Sequence, residues 1–549
     1  MVFWPTQVFS DCLEKMSLFR WEMLMQQSER RFSVLLSVLV ASIVWIGFVA
    51  AAGAVEIELS SDRYMVLDIK GDDVFHYMYL SDFLLDDTGE RMGEQGTGGL
   101  YHRFRLTPSL RLGRRVRFVA QADFAMVDSP YGFEKVLGVA RDSYFSPILP
   151  QVSGVRWADF RQLYVSWRSP VGLLRIGQQT SDWGLGIIAN SGQRATGEFG
   201  MPRFGDLVLR ASWALPIIGL IRRHPIARRF ILAAAFDVVY RDETADLLQN
   251  DFALQGAFSF FYKDKEDVFL GIYVAVRDQQ TRNGTHIEAQ MFDVHAKLRH
   301  RFDDNGTILN VAGEIAILQG KTDQLLNENA RTSTILSSVG AVGRGGVTLS
   351  KVGLRFGFEV GYASGDNNLD DTYSRSFRFD PNYQPSLILF KRLLGAISAR
   401  GYDRLADAGR VGVAPPGSEL VPSVGRVQNA LYIQPVIAYR PFSRNDILRK
   451  LELKVGLLYA LSVVDFLDPF NTFRNGGVNT TPMDLLAAER HELGFELNVS
   501  LSYSYRILKS VSFGLSLLYG RFFPGDALHD VNGHADAIDV FQCRTYLHF

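Results

Sequence analysis

Residues 100–127 read LYHRFRLTPSLRLGRRVRFVAQADFAMV. Outside the turn at Gly113, Arg114 and Arg115, the even positions are Leu100, His102, Phe104, Leu106, Pro108, Leu110, Leu112, Val116, Phe118, Ala120, Ala122, Phe124 and Met126, nearly all apolar. The odd positions carry Arg103, Arg105, Thr107, Ser109, Arg111, Arg117, Gln121 and Asp123. A period of two sends the two sets to opposite faces of a pair of antiparallel strands. One face suits hydrocarbon. The other is too charged for a dry core, because unpaired buried charge is costly. An apolar outside around a polar inside is the pattern of a transmembrane β-barrel, an all-β, closed antiparallel fold.

Composition agrees with one large domain built from that repeat. The chain has 549 residues and a mean hydropathy of +0.02, and its hydrophobic residues (47%) are dispersed by alternation. No Pro/Ser-rich linker separates the repeats. A net charge of −1 gives no basic footprint for nucleic acid. The two cysteines, Cys12 and Cys543, supply neither a disulfide framework nor a thiolate metal site.

Ahead of the repeats, Arg30 and Arg31 precede an uncharged run, FSVLLSVLVASIVWIGFVAAAGA, at 32–54. Its small-residue ending fits signal-peptide cleavage after Ala52 or Ala54. A retained membrane helix is the alternative, since about 20 apolar residues span a bilayer. We therefore divide the chain into a leader, 1–54, and a barrel, 55–549.

The barrel segment divides into eighteen strands. The first lies within 63–80 and the next span 100–112, 115–127, 157–168, 171–181, 205–216, 228–242, 250–262 and 266–277. They continue at 286–301, 306–320, 334–348, 350–364, 425–440, 449–465, 488–506, 509–522 and 536–549. Tight turns at 113–115, 169–170, 263–265, 303–306 and 508 alternate with long connections at 128–156, 182–204, 365–424 and 466–487, as short periplasmic turns and long external loops do in outer-membrane barrels. Closing partners must be antiparallel, so a strand before Asp86 is required; sixteen strands is the alternative. Segments 157–168 and 334–348 alternate poorly. Pro108 and Pro435 each remove a ladder donor inside a strand, which suggests local bulges.

The polar face proposes a wall. Its pore-lining candidates are Arg103, Arg105, Arg111, Arg117, Asp123, Arg175, Arg210, Asp293, Lys297, Arg299, Glu314, Arg355, Glu359, Glu492 and Glu496, with Asp237, Arg301, Lys351 and Glu452 beside them. Rings of one sign set ion selectivity. The basic cluster on 100–127 suggests an anion preference unless those residues pair across strands. Phe513, Tyr519, Phe522 and Phe523 suggest an outward aromatic face, toward lipid or a neighbouring subunit. The 365–424 connection is the best constriction candidate, because Leu387–Leu394, Ala396 and Ile397 are apolar and would be buried by folding into the barrel; a helical cap on the external rim and a missed pair of strands are the alternatives.

Other chemistries find little support. Asp366, Asn368 and Asp370 begin a calcium-loop pattern, but Asp371 and Phe377 stand where it needs Gly and Glu. Gln319-Gly320-Lys321-Thr322 echoes a phosphate loop, with Ile315 where the earlier glycine belongs. No G-x-S-x-G or H-E-x-x-H motif occurs. We expect no catalytic site, cofactor or metal.

In the last segment Phe541, Cys543, Thr545, Leu547 and Phe549 face one way, and Gln542, Arg544 and His548 the other. This resembles the closing strand of bacterial outer-membrane proteins, with Phe541, Thr545, Leu547 and Phe549 as the barrel-closing signal read by the assembly machinery. Within that class the chain resembles porin-like and alginate-export-like proteins. Two patches, Gln178-Gln179-Thr180-Ser181-Asp182-Trp183-Gly184-Leu185-Gly186 and Phe379-Asp380-Pro381-Asn382-Tyr383 leading to Leu389-Phe390, resemble a porin-like family of predatory, myxobacterial-type bacteria. The resemblance implies a channel for small hydrophilic solutes in the outer membrane of a Gram-negative bacterium, surrounded by lipid. A polysaccharide export channel and a plugged barrel serving adhesion or envelope structure are the alternatives, and oligomerisation stays open.

Overall fold

The computed structural model describes residues 55–60, 64–86, 89–92, 97–128, 155–202, 205–222, 224–265, 267–302, 306–323, 333–369, 371–415, 425–441, 450–476, 490–508, 510–529 and 535–549. The leader, Cys12, the signal-cleavage positions, Asp370, most of 128–156 and residues 477–489 lie outside the described residues.

The strands are β1 Val55–Glu58, β2 Met65–Leu80, β3 Thr97–Leu112, β4 Val116–Asp128, β5 Val155–Ser169, β6 Gly172–Thr180, β7 Leu207–Leu215, β8 Phe230–Arg241, β9 Phe252–Asp264 and β10 Val268–Gln280. They continue as β11 His286–Arg301, β12 Thr307–Thr322, β13 Thr334–Leu349, β14 Leu354–Ala363, β15 Tyr373–Ser374, β16 Ala430–Tyr439, β17 Leu451–Leu461, β18 Glu492–Arg506, β19 Ser512–Pro524 and β20 Ile538–His548. Each stave pairs antiparallel with the next, and β2 pairs with both β3 and β20, so the sheet closes. β15 is a two-residue bridge on β13, and β1 pairs only with 66–69 of β2. Setting those two aside leaves eighteen staves from the twenty strands. The expected count and the antiparallel seam are both present.

The alternation sorts side chains as a bilayer demands. Leu163, Phe258 and Leu270 are 61%, 62% and 56% exposed on the outer register, with Phe160, Phe236, Ile315, Phe358 and Ile437 around the same face. A continuous apolar surface of this kind is not left in water. Within the strands, backbone donors and acceptors meet in ladders, which is the condition for crossing lipid. No described helix is long and apolar enough to cross a membrane.

Three sequence irregularities acquire causes. β5 alternates poorly because Gln121 pairs with Gln162 while Ala122 pairs with Phe160, leaving Arg161 as an extra residue that turns inward beside Gln162. β13 alternates poorly because its inward positions include glycine; a Cβ at Gly340 would lie 2.2 Å from the Phe377 ring. The prolines make no bulge. Opposite β4 the pairing skips 107–108 and resumes unshifted at Ser109↔Val119, and opposite β17 it skips 434–435 and resumes unshifted at Val436↔Gly456. Each proline therefore costs local ladder pairs on one side only.

The largest apolar core lies inside the barrel. Inward Met78, Leu80, Val342, Tyr432, Leu458, Phe522 and Val540 pack with Ile187, Phe199 and Met201 of the β6–β7 connection and with Phe377, Phe379, Tyr383, Leu387, Ile388, Leu389, Phe390, Leu393 and Leu394 of the β14–β16 connection. Phe522, expected outside with Tyr519 and Phe523, is fully buried in this core, because inward residues of β19 are the even ones. The apolar run at 387–397 folds in, as one of the readings required, and its last part begins the helix Leu394–Ala406. Of the connection 182–204, read as a long outer one, the described residues 182–202 turn inward too.

Candidate functional site

The two infolded segments are fastened to wall residues spaced around the ring, which places them within the lumen. Glu496 of β18 accepts the backbone N–H groups of Leu387, Ile388 and Leu389 at 2.8, 2.9 and 2.8 Å. Charge-assisted bonds of this sort are about twice as strong as neutral ones. Glu359 of β14 accepts from Tyr432 Oη and Arg344 Nε at 2.6 Å each, and Arg344 also donates to Tyr383 Oη at 2.7 Å. On the other segment, Trp183 Nε1 donates to Asp293 at 2.6 Å, and Leu185 N–H donates to Glu314. Glu198 takes a bidentate pair from Arg355 at 2.9 Å, and Arg544 Nη1 donates to the carbonyls of Phe199 and Gly200 at 3.0 and 3.1 Å. Burial alone would raise the Glu198 pKa, but the Arg355 hydrogen bond and the charges of Arg355 and Lys454 hold it down to about 2.

The candidate wall residues fall into two groups by height. Strand ends joined mostly by short turns define one end of the barrel, although the β7–β8 connection there spans 216–229, and those joined mostly by longer connections define the other. Toward the long-connection end, Arg103, Arg105, Asp123, Asp237, Asp293, Glu314, Glu359 and Glu496 are buried. Arg105 donates to Asp123 at 2.5 and 2.8 Å, Arg210 to Asp237 at 2.7 Å twice, and Arg103 pairs with Asp72. Arg161, which its neutral sequence context concealed, reaches Ser191 O at 2.9 Å from the bulge. These charges hold wall and infolded segments together.

Toward the short-turn end, Arg111, Arg117, Arg175, Lys297, Arg299 and Arg301 share the inward register and are exposed. Arg111 approaches Asp68 at 3.2 Å, Arg117 donates to Ser109 Oγ at 2.9 Å, and Arg175 lies 5.8 Å from the centre of the Tyr164 ring. Arg355 is bound to Glu198, as above. Glu452 pairs with Arg440 at 2.7 Å, and Lys351 sits in the β13–β14 turn rather than on a stave. Glu492 leaves the inward set altogether. The bulge between Ala460 and Leu461 sets Glu492 opposite Leu461, while Gly494 pairs with Ala460, so Leu493 turns in and Glu492 joins the outer register.

Two cavities follow the wall from β6 to β13. The one toward the short turns encloses 590 Å³ and is lined by Arg175, Arg194, Arg210, Lys263, Lys265, His295 and Lys297, with Asp182 as its acidic member. The other encloses 310 Å³ and is lined by Asp206, Asp242, Glu243, Arg277, Gln279, Arg378 and Arg426, toward the opposite end. Ser181 and Tyr273 border both. Trp183 stacks on Tyr273, ring centres 5.1 Å apart, narrowing the junction. Trp183 comes from a connection without a period, whereas Asp206 and Arg426, placed within strands 205–216 and 425–440 by the sequence, lie ahead of β7 and β16 in the structure.

The remaining motifs are structural. Asp366 accepts the backbone N–H of Asn368 and Arg375 at 3.1 and 3.0 Å, shaping a loop. Gln319–Thr322 is paired strand throughout, not a phosphate loop opening a helix.

No protein-family model matches the chain, and none of the curated proteins matches it. Among solved structures, it is similar to OccK8 (OprE) of Pseudomonas aeruginosa at 10% identity and a TM-score of 0.45, over 88% of this chain and 98% of that one. The outer membrane protein OpdK of Pseudomonas aeruginosa gives 12% and 0.44 over the same shares, and OccAB2 of Acinetobacter baumannii gives 8% and 0.45, again over 88% and 98%.

Proposed function

We propose that the protein is a porin-like channel of the outer membrane of a Gram-negative bacterium, passing small hydrophilic solutes between the infolded segments and the β6–β13 wall, with a preference for anions. The observation that carries this reading is the pair of cavities meeting at Ser181 and Tyr273, one of them rimmed by basic side chains inside an apolar-coated ring of eighteen staves. Barrels of this size leave an aqueous bore unless something fills it, and here two infolded segments fill part of it. Lysine and arginine lining a wet passage favour anion entry. Both patches that resemble the myxobacterial-type family, 178–186 and 379–390, run into infolded segments, so the finer family reading rests on the filling of the bore rather than on the staves. The outer-membrane lipids would cover the apolar face, and the assembly machinery would read Phe541, Thr545, Leu547 and Phe549.

The alternative of a fully plugged barrel draws on the dense apolar core inside the long-connection half. Single-channel recording of the purified barrel in a planar bilayer separates the two. Discrete steps whose reversal potential in a KCl gradient favours chloride are expected; silence across repeated insertions would give the plugged reading the field. Block by an anionic polymer would favour export.

A further inference from the structure

Three carboxylates from separate elements converge beside the 310 Å³ cavity. Asp206 precedes β7, Glu243 follows β8, and Asp380 belongs to the infolded β14–β16 connection; one carboxylate oxygen from each lies within 4.8 Å of the others. Asp206 and Asp380 are more than nine-tenths buried. One oxygen of each is engaged: Asp206 Oδ2 accepts Asn190 N–H at 2.9 Å, and Asp380 Oδ1 accepts Asn382 N–H at 2.7 Å. The second oxygens, Asp206 Oδ1 and Asp380 Oδ2, are buried and meet no hydrogen-bond donor among the described residues. Buried unsatisfied carboxylate oxygens at such spacing call for a cation or a proton.

Neighbouring charges do not fill the need. Asp242 is already neutralised, since Arg277 Nη1 donates to it at 2.6 Å and Thr244 and Ala245 N–H at 2.8 Å each. The charges of Arg426 and Lys391 act on Asp380 and those of Arg426 and Arg277 on Glu243, but they do not outweigh burial and repulsion, and Lys391 Nζ donates to Pro381 O at 3.3 Å. Burial first, then mutual repulsion, pushes the Asp206 carboxyl well above its ordinary range, and burial with the Glu243 charge does the same to Asp380.

We propose that Asp206, Glu243 and Asp380 form a binding site for a hard divalent cation of the Ca²⁺ class, which clamps the infolded β14–β16 connection to the β7 and β8 ends of the wall. The donors are all oxygen, with no thiolate or imidazole to select zinc or copper. Three carboxylates, with water from the adjoining cavity, can supply the six to eight oxygens that calcium takes. The site goes beyond the channel reading and does not depend on it.

Isothermal titration of the full chain in detergent with CaCl₂ alone tests the site. The expected result is saturable uptake of about one ion per chain, with protons released, so that the heat changes with the ionisation enthalpy of the buffer. Asp206→Asn and Asp380→Asn each weaken binding by roughly tenfold or more, whereas Asp366→Asn, a buried loop carboxylate outside the trio, leaves it unchanged. Both Asn substitutions relieve repulsion, so the variants keep the heat-dependent gel mobility of a folded barrel; should one fail to fold, Glu243→Gln replaces it. Absence of saturable binding to the wild type would overturn the proposal. So would equal binding by the Asp206→Asn/Asp380→Asn double variant, which would place the ion elsewhere.

Discussion

The two ends of this barrel use the same inward register for opposite purposes. Near the short turns, Arg111, Arg117, Arg175, Lys297, Arg299 and Arg301 are exposed, and only Arg355 among the basic candidates there is tied to an infolded segment, through Glu198. Near the long connections, charges of both signs are buried, and several of them, such as Glu496 and Glu359, hold chain inside the ring. The difference teaches that a charged inner face does not by itself describe a pore. Arg105 and Arg175 are alike in the sequence pattern, yet one is locked to Asp123 at 2.5 Å and the other faces water.

Mutations should sharpen that contrast. The largest effect belongs to Glu496→Ala, which leaves three buried N–H groups of 387–389 without their acceptor; each buried donor left unsatisfied costs about 1–3 kcal/mol. Larger or noisier conductance steps and earlier proteolysis within 387–406 are expected. Unaltered conductance and cleavage would mean that the latch is not what holds the segment.

Next comes Gly340→Leu. Its new side chain meets Phe377 and overpacks the filled half, at about 1–3 kcal/mol. Thermal unfolding should fall, and Phe377→Ala in the same chain should recover part of the loss. An undiminished melting temperature would argue that Phe377 does not seat there.

Acid should loosen the anchor between Glu198 and Arg355. A carboxylate with a depressed pKa contributes its full stabilisation above the unfolded value of about 4.3. That contribution is lost as pH falls toward about 2. The conductance of the wild type should therefore change over that interval, and Glu198→Gln should abolish this part of the change. A transition centred near neutrality would point to other groups.

The smallest stability effect comes from the short-turn end. Arg175→Glu with Lys297→Glu should move stability by no more than about 0.5 kcal/mol, as surface changes usually do, yet shift the reversal potential toward cations. Preserved chloride preference would remove these residues from the path.

Most of the wall was readable because lipid enforces a period of two on every stave. The reading failed where that period breaks. One inserted residue turned Arg161 inward, and another turned Glu492 outward; neither bulge leaves a mark in composition. The inward position of Gly340 looked like noise because its partner, Phe377, is far along the chain and in a connection. Apolar content at 387–397 revealed one infolded segment. The other, 182–202, scatters its apolar residues, such as Ile187, Phe199 and Met201, among polar residues and glycines, and its seat also depends on contacts such as Trp183 with Asp293, which no local pattern announces.

The short strand β1 has a protective consequence. β20 stops at Asp72↔His548, so the lower part of β2 would present unpaired amides on that side, a template for another chain's strand. β1 occupies that gap by pairing Val55–Glu58 with 66–69. Shortening the chain to begin after Glu58 would expose a sticky margin at the seam, and its first symptom would be clumping during refolding rather than any change in what passes through.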